Sequence, residues 1–423
     1  MTARPRAAIV ATGSELVRGE RTDRNGPFLA AEAFRHGLEP ARITIVGDNP
    51  AELEAALRDG LEADVCFVSG GLGPTHDDRT VEMIARAAGL ELVVDEELEE
   101  QIGAVSRAVA ERLRRPYGDF AAGVRKQAMR PAPAVSIGLA GTAPGLVFRA
   151  PNGCVVVVLP GPPPELQRLW PNALASEPVR ELLARTTPPD RRVLRLFGVS
   201  ESAVARALAE AGGDGDGVEV TICAREFEIH VDLVVEPEAA ARADALEAEL
   251  AARLEQWVFS RDERSVEEHV LALARARGLT IATAESCTGG LVAARLTRVP
   301  GSSESFLGGV VAYADAVKSA ELDVPEALLS EHGAVSTEVA EAMANGARRR
   351  LGADVAVAVT GVAGPAGGTE EKPVGLVYLH VSGPDGPRAR TLDLPGEREQ
   401  IRMRATVTAL HLLRQFLEVA TNS

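Results

Sequence analysis

The stretch TIATAESCTGGLVAARLTRVPGSS, residues 280–303, starts as an apolar strand, turns at Ser, Cys, Thr and two glycines, and continues with apolar residues at helical spacing. A strand that hands over to a helix in so few residues is the building unit of α/β layers. The turn also puts side chains beside the free backbone N–H groups of a helix start, a position that suits an anion or an oxyanion. Ser and Thr are equally ordinary helix N-caps, and glycines let a strand and a helix approach closely. The turn by itself leaves both readings open.

Around it, 423 residues point to two or three domains. From Arg6 to about Leu169 the strands AAIVATG, RITIVGD and DVCFVSGG alternate with amphipathic helices such as PAELEAALRDGLE and RTVEMIARAAG, and GCVVVVLPGPPPELQRLW closes the segment. That order predicts parallel strands with helices on both faces. From about Arg191 to Ser260 the pattern becomes β-α-β-β-α-β, and its acidic turn GGDGDG would repel phosphate where a KH module clamps RNA, so this part reads as a structural spacer. A second α/β pattern starts near Ser265. The expected architecture is two α/β/α three-layer domains, residues 1–169 and 262–423, joined by a small α+β domain, ferredoxin-like or KH-like, over 170–261.

The net charge of −16 argues against a nucleic-acid binder, whose affinity rests on basic surface, but not against a small anionic ligand met by local Arg and Lys. Cys66, Cys154, Cys223 and Cys287 are scattered without a CxxC pair, as expected of reduced thiols in a cytoplasmic protein. The apolar runs fall short of a membrane span and no targeting signal is evident, so the expectation is a protein with no membrane partner. The seven His residues show no zinc-ligand spacing.

Three carboxyl-terminal patches lie at strand ends: Ser286-Cys287-Thr288-Gly289-Gly290; GGVVAYADAVKSAEL with Tyr313 and Lys318; and VTGVAGPAGGTEEKPVG, residues 359–375. A nucleophilic serine needs a base, and none of these patches contains His, which leaves lysine. A free lysine titrates near about 10.4, so acting as a base near neutrality calls for an enclosed pocket or a cationic neighbour. Cys287 is the rival nucleophile, since a thiol at a helix start can become a thiolate.

With AESCTGGLVAARLTRVPGSS, VVAYADAVKSAEL, HGAVSTEVAEAMANGARRRLGADVAVAVTGVAGPAGGTEEKPVGLVYLHV and PGEREQIRMRAT, nearly all of residues 265–415 resembles the CinA carboxyl-terminal domain, the PncC-type nicotinamide mononucleotide deamidase. The resemblance implies that Ser286 is the nucleophile, Lys318 the base and Tyr313 a positioning group. It implies a substrate cradle of Thr288, Gly289, Gly290, Thr360, Gly361 and Arg402, with Arg398 one helical turn away, and no cofactor for deamidation. ADAVKSAELDVP departs from the more usual Asn-Glu-X-Lys followed by Leu-Gly-Val.

VSGGLGPTHDDRTVE, residues 68–82, combines a strand, a Gly-Gly-x-Gly turn, two carboxylates and a helix start. Such a turn can hold phosphate and such carboxylates a hard cation, while capping explains the aspartates equally well. With ATGSELVRGERTDRN and VVLPGPPPEL it resembles the molybdopterin-binding MoaB/MogA-like domain at the amino end of CinA proteins. That resemblance implies a metal-dependent ADP-ribose pyrophosphatase using Mg or Co, with Glu15, Asp77 and Asp78 on the metal or in acid/base roles and Asn25, Gly70, Gly71 and Gly73 as the ligand cradle. It also implies a homodimer and two activities joined by NAD breakdown. The competing readings are a molybdopterin-binding or transfer protein and a non-catalytic competence-related partner.

Overall fold

The computed structural model describes residues 4–418, without the side chains of residues 119, 120 and 122, and divides into two compact units at Pro189/Asp190. The first unit is built on strands β1 (Arg6–Thr12), β2 (Glu39–Val46), β3 (Val65–Ser69), β6 (Val135–Leu139), β7 (Pro144–Arg149) and β8 (Val155–Leu159), in the order β2-β1-β3-β8-β7-β6. The short strands β4 (Leu92–Val94) and β5 (Met129–Pro131) pair separately. Alternate residues feed opposite faces. Ile9, Val65, Phe67, Val155 and Val157 meet the helices Asn25–Arg35 and Pro163–Ala175, while Val10, Cys66, Val68, Val156 and Val158 meet Pro50–Gly60 and Thr80–Ala87. Burial on both faces turns a period-two strand into a continuous apolar run such as VVVV.

Three expectations change here. The sheet is mixed: β7 runs antiparallel to β8, and β6 antiparallel to β7. The helices Glu96–Leu113 and Gly118–Gln127 add to the alternating pattern. A boundary at residue 169 would cut the helix Pro163–Ala175, whose Trp170 and Ala173, with Val179 and Leu182 of the next helix, complete the same core. Residues 170–189 therefore belong to the first unit.

In the second unit, β9 (Asp190–Leu196), β10 (Val218–Arg225), β11 (Glu228–Val235) and β12 (Val258–Ser260) form an antiparallel sheet in the order β10-β11-β9-β12, with the helices Glu201–Glu210 and Ala240–Arg253. This is the β-α-β-β-α-β unit read from the sequence. The carboxyl-terminal layer has β13 (Ile281–Glu285), β14 (Phe306–Val311), β15 (Val355–Gly361), β16 (Leu376–Ser382) and β17 (Arg388–Asp393) in the order β14-β13-β15-β16-β17. Strand β15 alternates Val and Ala. Its valines pack with the helices Val266–Ala276 and Arg398–Glu418, and Ala356 and Ala358 face the helix Thr337–Leu351. That last helix comes so close to its neighbour that a Cβ on Gly346 would lie 1.9 Å from the Leu322 carbonyl oxygen. The parallel trio β14-β13-β15 brings the carboxyl ends of β13 and β15 side by side, where α/β sheets bind ligands.

Among the described residues, no helix is long and apolar enough to cross a membrane.

Candidate functional site

A cavity of ≈ 180 Å³ opens at those strand ends, lined by Ser286, Cys287, Tyr313, Asp315, Lys318, Ala334, Val335, Thr360, Gly361, Ala363 and Arg398. Ser286 follows directly on β13 and donates its backbone N–H to the Val359 carbonyl of β15 at 2.9 Å. Lys318 comes from the helix Asp315–Leu322 and is only 1% exposed, so its ammonium is enclosed with the cavity. Its Nζ donates to the Tyr313 carbonyl and pairs with Asp315 Oδ1, both at 3.2 Å. The Tyr313 hydroxyl accepts from Arg398 Nη2 at 2.9 Å, and Arg398 Nη1 donates to the Gly364 carbonyl at 2.7 Å. Two cations and one carboxylate thus line a cavity in an acidic chain.

The structure separates the sequence candidates. Ser286, Lys318, Tyr313, Thr360 and Gly361 share the cavity; Thr288, Gly289, Gly290 and Arg402 do not line it. Thr360 donates its hydroxyl to the Ala334 carbonyl at 2.7 Å and so braces the cavity wall. Arg402 turns its guanidinium to the carbonyls of Cys287 and Thr288, at 3.1 and 3.0 Å, and Arg398 is the arginine that lines the cavity. The free helix N-terminus expected at the turn is also filled: the Glu285 carboxylate accepts from the N–H groups of Gly290, Val292 and Ala293. Burial pushes the Cys287 thiol up to about 11, and the residue is 5% exposed, so the thiolate that would rival Ser286 is disfavoured. Asp315 and Glu285 went unmarked in the sequence. Asp315 was legible only as a carboxylate at i, i+3 from Lys318 on one helix face.

In the first unit five of the seven candidates line two cavities, and Gly70 and Asp77 line neither. Glu15 and Asn25 line one of ≈ 630 Å³ with Thr12, Arg21, Asp23, Arg24 and Ser69, beside the start of the helix Pro163–Ala175. Gly71, Gly73 and Asp78 line another of ≈ 320 Å³ with Glu82, Lys126 and Gln127. Asn25 Nδ2 donates to Ser69 Oγ at 2.8 Å and to the Gly161 carbonyl at 2.7 Å, tying the cavity wall across the sheet. The glycine turn is shaped by packing: a Cβ on Gly70 would lie 2.5 Å from the Thr12 carbonyl oxygen, and one on Gly71 2.2 Å from Thr80 Oγ1.

Glu15, Asp77 and Asp78 do not come together. Asp77 lines neither cavity and, like Asp78, faces the Thr75 hydroxyl, whose single proton serves one carboxylate at a time. The hydrogen bond from Thr75 lowers the Asp77 pKa below the usual carboxylate value. Asp78 also accepts from the Thr75 N–H at 2.9 Å. Among the described residues no three His, Cys, Asp or Glu side chains gather as a metal site would require.

Comparison with known proteins follows the same three parts. Residues 8–179 match the model of a probable molybdopterin binding domain, 191–260 that of the damage-inducible protein CinA KH domain, and 263–417 that of the CinA C-terminal domain. A CinA-like protein of Mycobacterium sp. (strain JLS) is 46% identical over 422 residues, covering 98% of this chain and 99% of that protein. A CinA-like protein of Mycobacterium tuberculosis is 48% identical over 427 residues, covering 99% and 98%. Among solved structures, competence/damage inducible protein CihA from Agrobacterium tumefaciens is 39% identical, covering 39% of this chain and 100% of that one, with a TM-score of 0.35.

Proposed function

The chain belongs to the CinA family, and from that premise we propose that its carboxyl-terminal site hydrolyses the carboxamide of nicotinamide mononucleotide to nicotinate mononucleotide and ammonia. The observation that carries this reading is the enclosure of Ser286 and Lys318 in one cavity without a histidine among its lining residues. Ser286 Oγ attacks the amide carbon while Lys318, acting in its neutral amine form, takes its proton. The tetrahedral intermediate collapses with breakage of the C–N bond, and the proton goes to the departing ammonia. Water, activated by the same lysine, then releases the carboxylate and restores the serine. Neither step calls for a metal.

A volume of ≈ 180 Å³ is below the ~300–1,000 Å³ typical of pockets that enclose a whole drug-sized ligand. The cavity therefore takes the nicotinamide ring, with the ribose phosphate directed to Arg398 at the wall. Tyr313, 61% exposed and hydrogen-bonded to Arg398, orients that arginine. Ammonia release by the purified chain, lost on Ser286→Ala, tests the reading.

For the amino-terminal unit we infer a nucleotide site in the larger cavity, with ADP-ribose as substrate and pyrophosphate cleavage as the reaction. Arg21 and Arg24 at its lining support a phosphate-bearing ligand. Both substrates arise from NAD breakdown, so the chain would act in pyridine nucleotide salvage, as a homodimer in the cytoplasm. A second reading for this unit is molybdopterin binding without turnover. It is favoured by the description of the matching family model and by the separation of Glu15 from Asp77 and Asp78. Incubation with ADP-ribose, scored for AMP, against titration with molybdopterin separates the two.

A further inference from the structure

We infer that Glu285 and Arg402 are positioning residues for Ser286, two opposite charges that grip the turn on which the nucleophile stands. The inference takes its substrate from the deamidase reading and its geometry from the turn alone.

Glu285 ends β13 and is 1% exposed. Its Oε2 accepts from the N–H groups of Gly290 at 2.9 Å and Val292 at 3.1 Å, and its Oε1 from Ala293 at 2.8 Å. These are the first amides around the helix Leu291–Arg298, which would otherwise lack partners. A carboxylate there also meets the positive end of the helix dipole. From the other side, Arg402 Nε donates to the Cys287 carbonyl and Nη2 to the Thr288 carbonyl, and Nη1 pairs with Glu399 at 3.1 Å.

The two side chains thus hold the N–H groups at the end of the turn and the carbonyls at its beginning. Gly289 and Gly290, with φ of 61° and 95°, let the chain reverse between them. A Cβ on Gly289 would lie in ordinary contact with Arg402 Nη2, at 3.4 Å, so it is the positive φ that favours glycine there.

Two consequences follow for chemistry. The N-terminus of the helix Leu291–Arg298 is not the oxyanion hole, because the chain's own carboxylate occupies it. Arg402 spends one N–H of each guanidinium nitrogen on the turn or on Glu399, which places it to hold the turn, while Arg398 lines the cavity. Hydrogen bonds with an ionised partner are stronger than neutral ones, so several of them together restrain the turn. Misplacing a reacting atom by about 1 Å costs about 10²-fold in rate.

The test uses the full chain with Arg402→Lys, Arg402→Ala and Glu285→Gln. kcat and KM are measured on nicotinamide mononucleotide and on its dephosphorylated riboside, and modification of Ser286 by a fluorophosphonate probe is followed by peptide mass. Expected are a fall in kcat of about 10²-fold for Arg402→Ala with KM unchanged on both substrates, a parallel fall in the labelling rate, and partial rescue by Arg402→Lys. Should Glu285→Gln fail to fold, the two Arg402 variants decide the matter.

A rise in KM confined to the phosphorylated substrate, with kcat and labelling intact, would make Arg402 a phosphate ligand and overturn the inference. So would wild-type labelling in all three variants. If the wild-type chain is labelled at Ser286 yet releases no ammonia, the substrate reading fails, and the labelling rates alone judge the grip.

Discussion

Replacing His411 with Gln should flatten the acid sensitivity of the second unit. His411 lies on the helix Arg398–Glu418, has no exposure, stacks on Phe197 at 3.8 Å and meets the edge of Phe259 at 4.7 Å. Its Nδ1 faces Arg414 Nε at 3.4 Å, and arginine can only donate, so Nδ1 accepts; Nε2 then carries the hydrogen and donates to Glu228 Oε1 at 2.7 Å. Burial lowers the His411 pKa from 6.5 to about 4, against the pull of Glu228. Burial alone would raise the Glu228 carboxyl, but hydrogen bonds from His230 and His411 outweigh it and bring it to about 2.

The unfolded chain binds a proton at residue 411 below pH 6.5, and the folded chain only near pH 4. Stability from this histidine is therefore present above pH 6.5 and lost as pH falls toward 4, at about 1.4 kcal/mol per pH unit and about 3 kcal/mol in all. Glu228 adds a loss of the same sign that begins below 4.5. The assay is urea unfolding at several pH values between about 7 and about 5, read by Trp257 fluorescence in a Trp170→Phe background so that only the second unit reports. Burial also lowers His269 and His380, but their contributions cancel in the difference between wild type and His411→Gln. Equal pH slopes for the two proteins would refute the reasoning.

Lys318→Ala should abolish ammonia release while Cys287→Ala keeps most of it, and the reverse pattern would make the buried thiol the nucleophile. Arg398→Ala should raise KM for nicotinamide mononucleotide by about 10- to 100-fold, the worth of one charge-assisted bond, and leave the riboside untouched; equal losses on both substrates would remove its phosphate role. Asn25→Ala should destabilise the first unit by about 1–3 kcal/mol, because Ser69 and the Gly161 carbonyl lose their shared donor, and a melting temperature equal to that of the wild type would show that this tie carries no weight.

The layers were legible wherever a face alternates. The β-α-β-β-α-β unit could be read because its strands run uninterrupted between clear turns. Strand β6 gives no clear period-two signal, since Gly138, at φ 108°, sits in a register shift between Ser136 and Leu139. Pro171 reads as a helix stop, yet the helix runs on to Ala175 because Trp170 and Ala173 bury against the sheet. Spacing put Arg398 and Arg402 one helical turn apart without saying which of them reaches the cavity. It could not show that the residue before the serine, rather than a ligand, fills the helix start, because that depends on a side chain folding back across the turn. The paired aspartates of the first unit suggested a cation by composition, and no spacing could show that both also meet the Thr75 hydroxyl.

The most direct measurement is ammonia and nicotinate mononucleotide produced by the purified full-length chain from nicotinamide mononucleotide, with a chelator present, beside Ser286→Ala at equal concentration. The account predicts equimolar products from the wild type, unaffected by the chelator, and none above background from the variant. Ammonia from Ser286→Ala at the wild-type rate, or its disappearance from the wild type when the chelator is added, would contradict it.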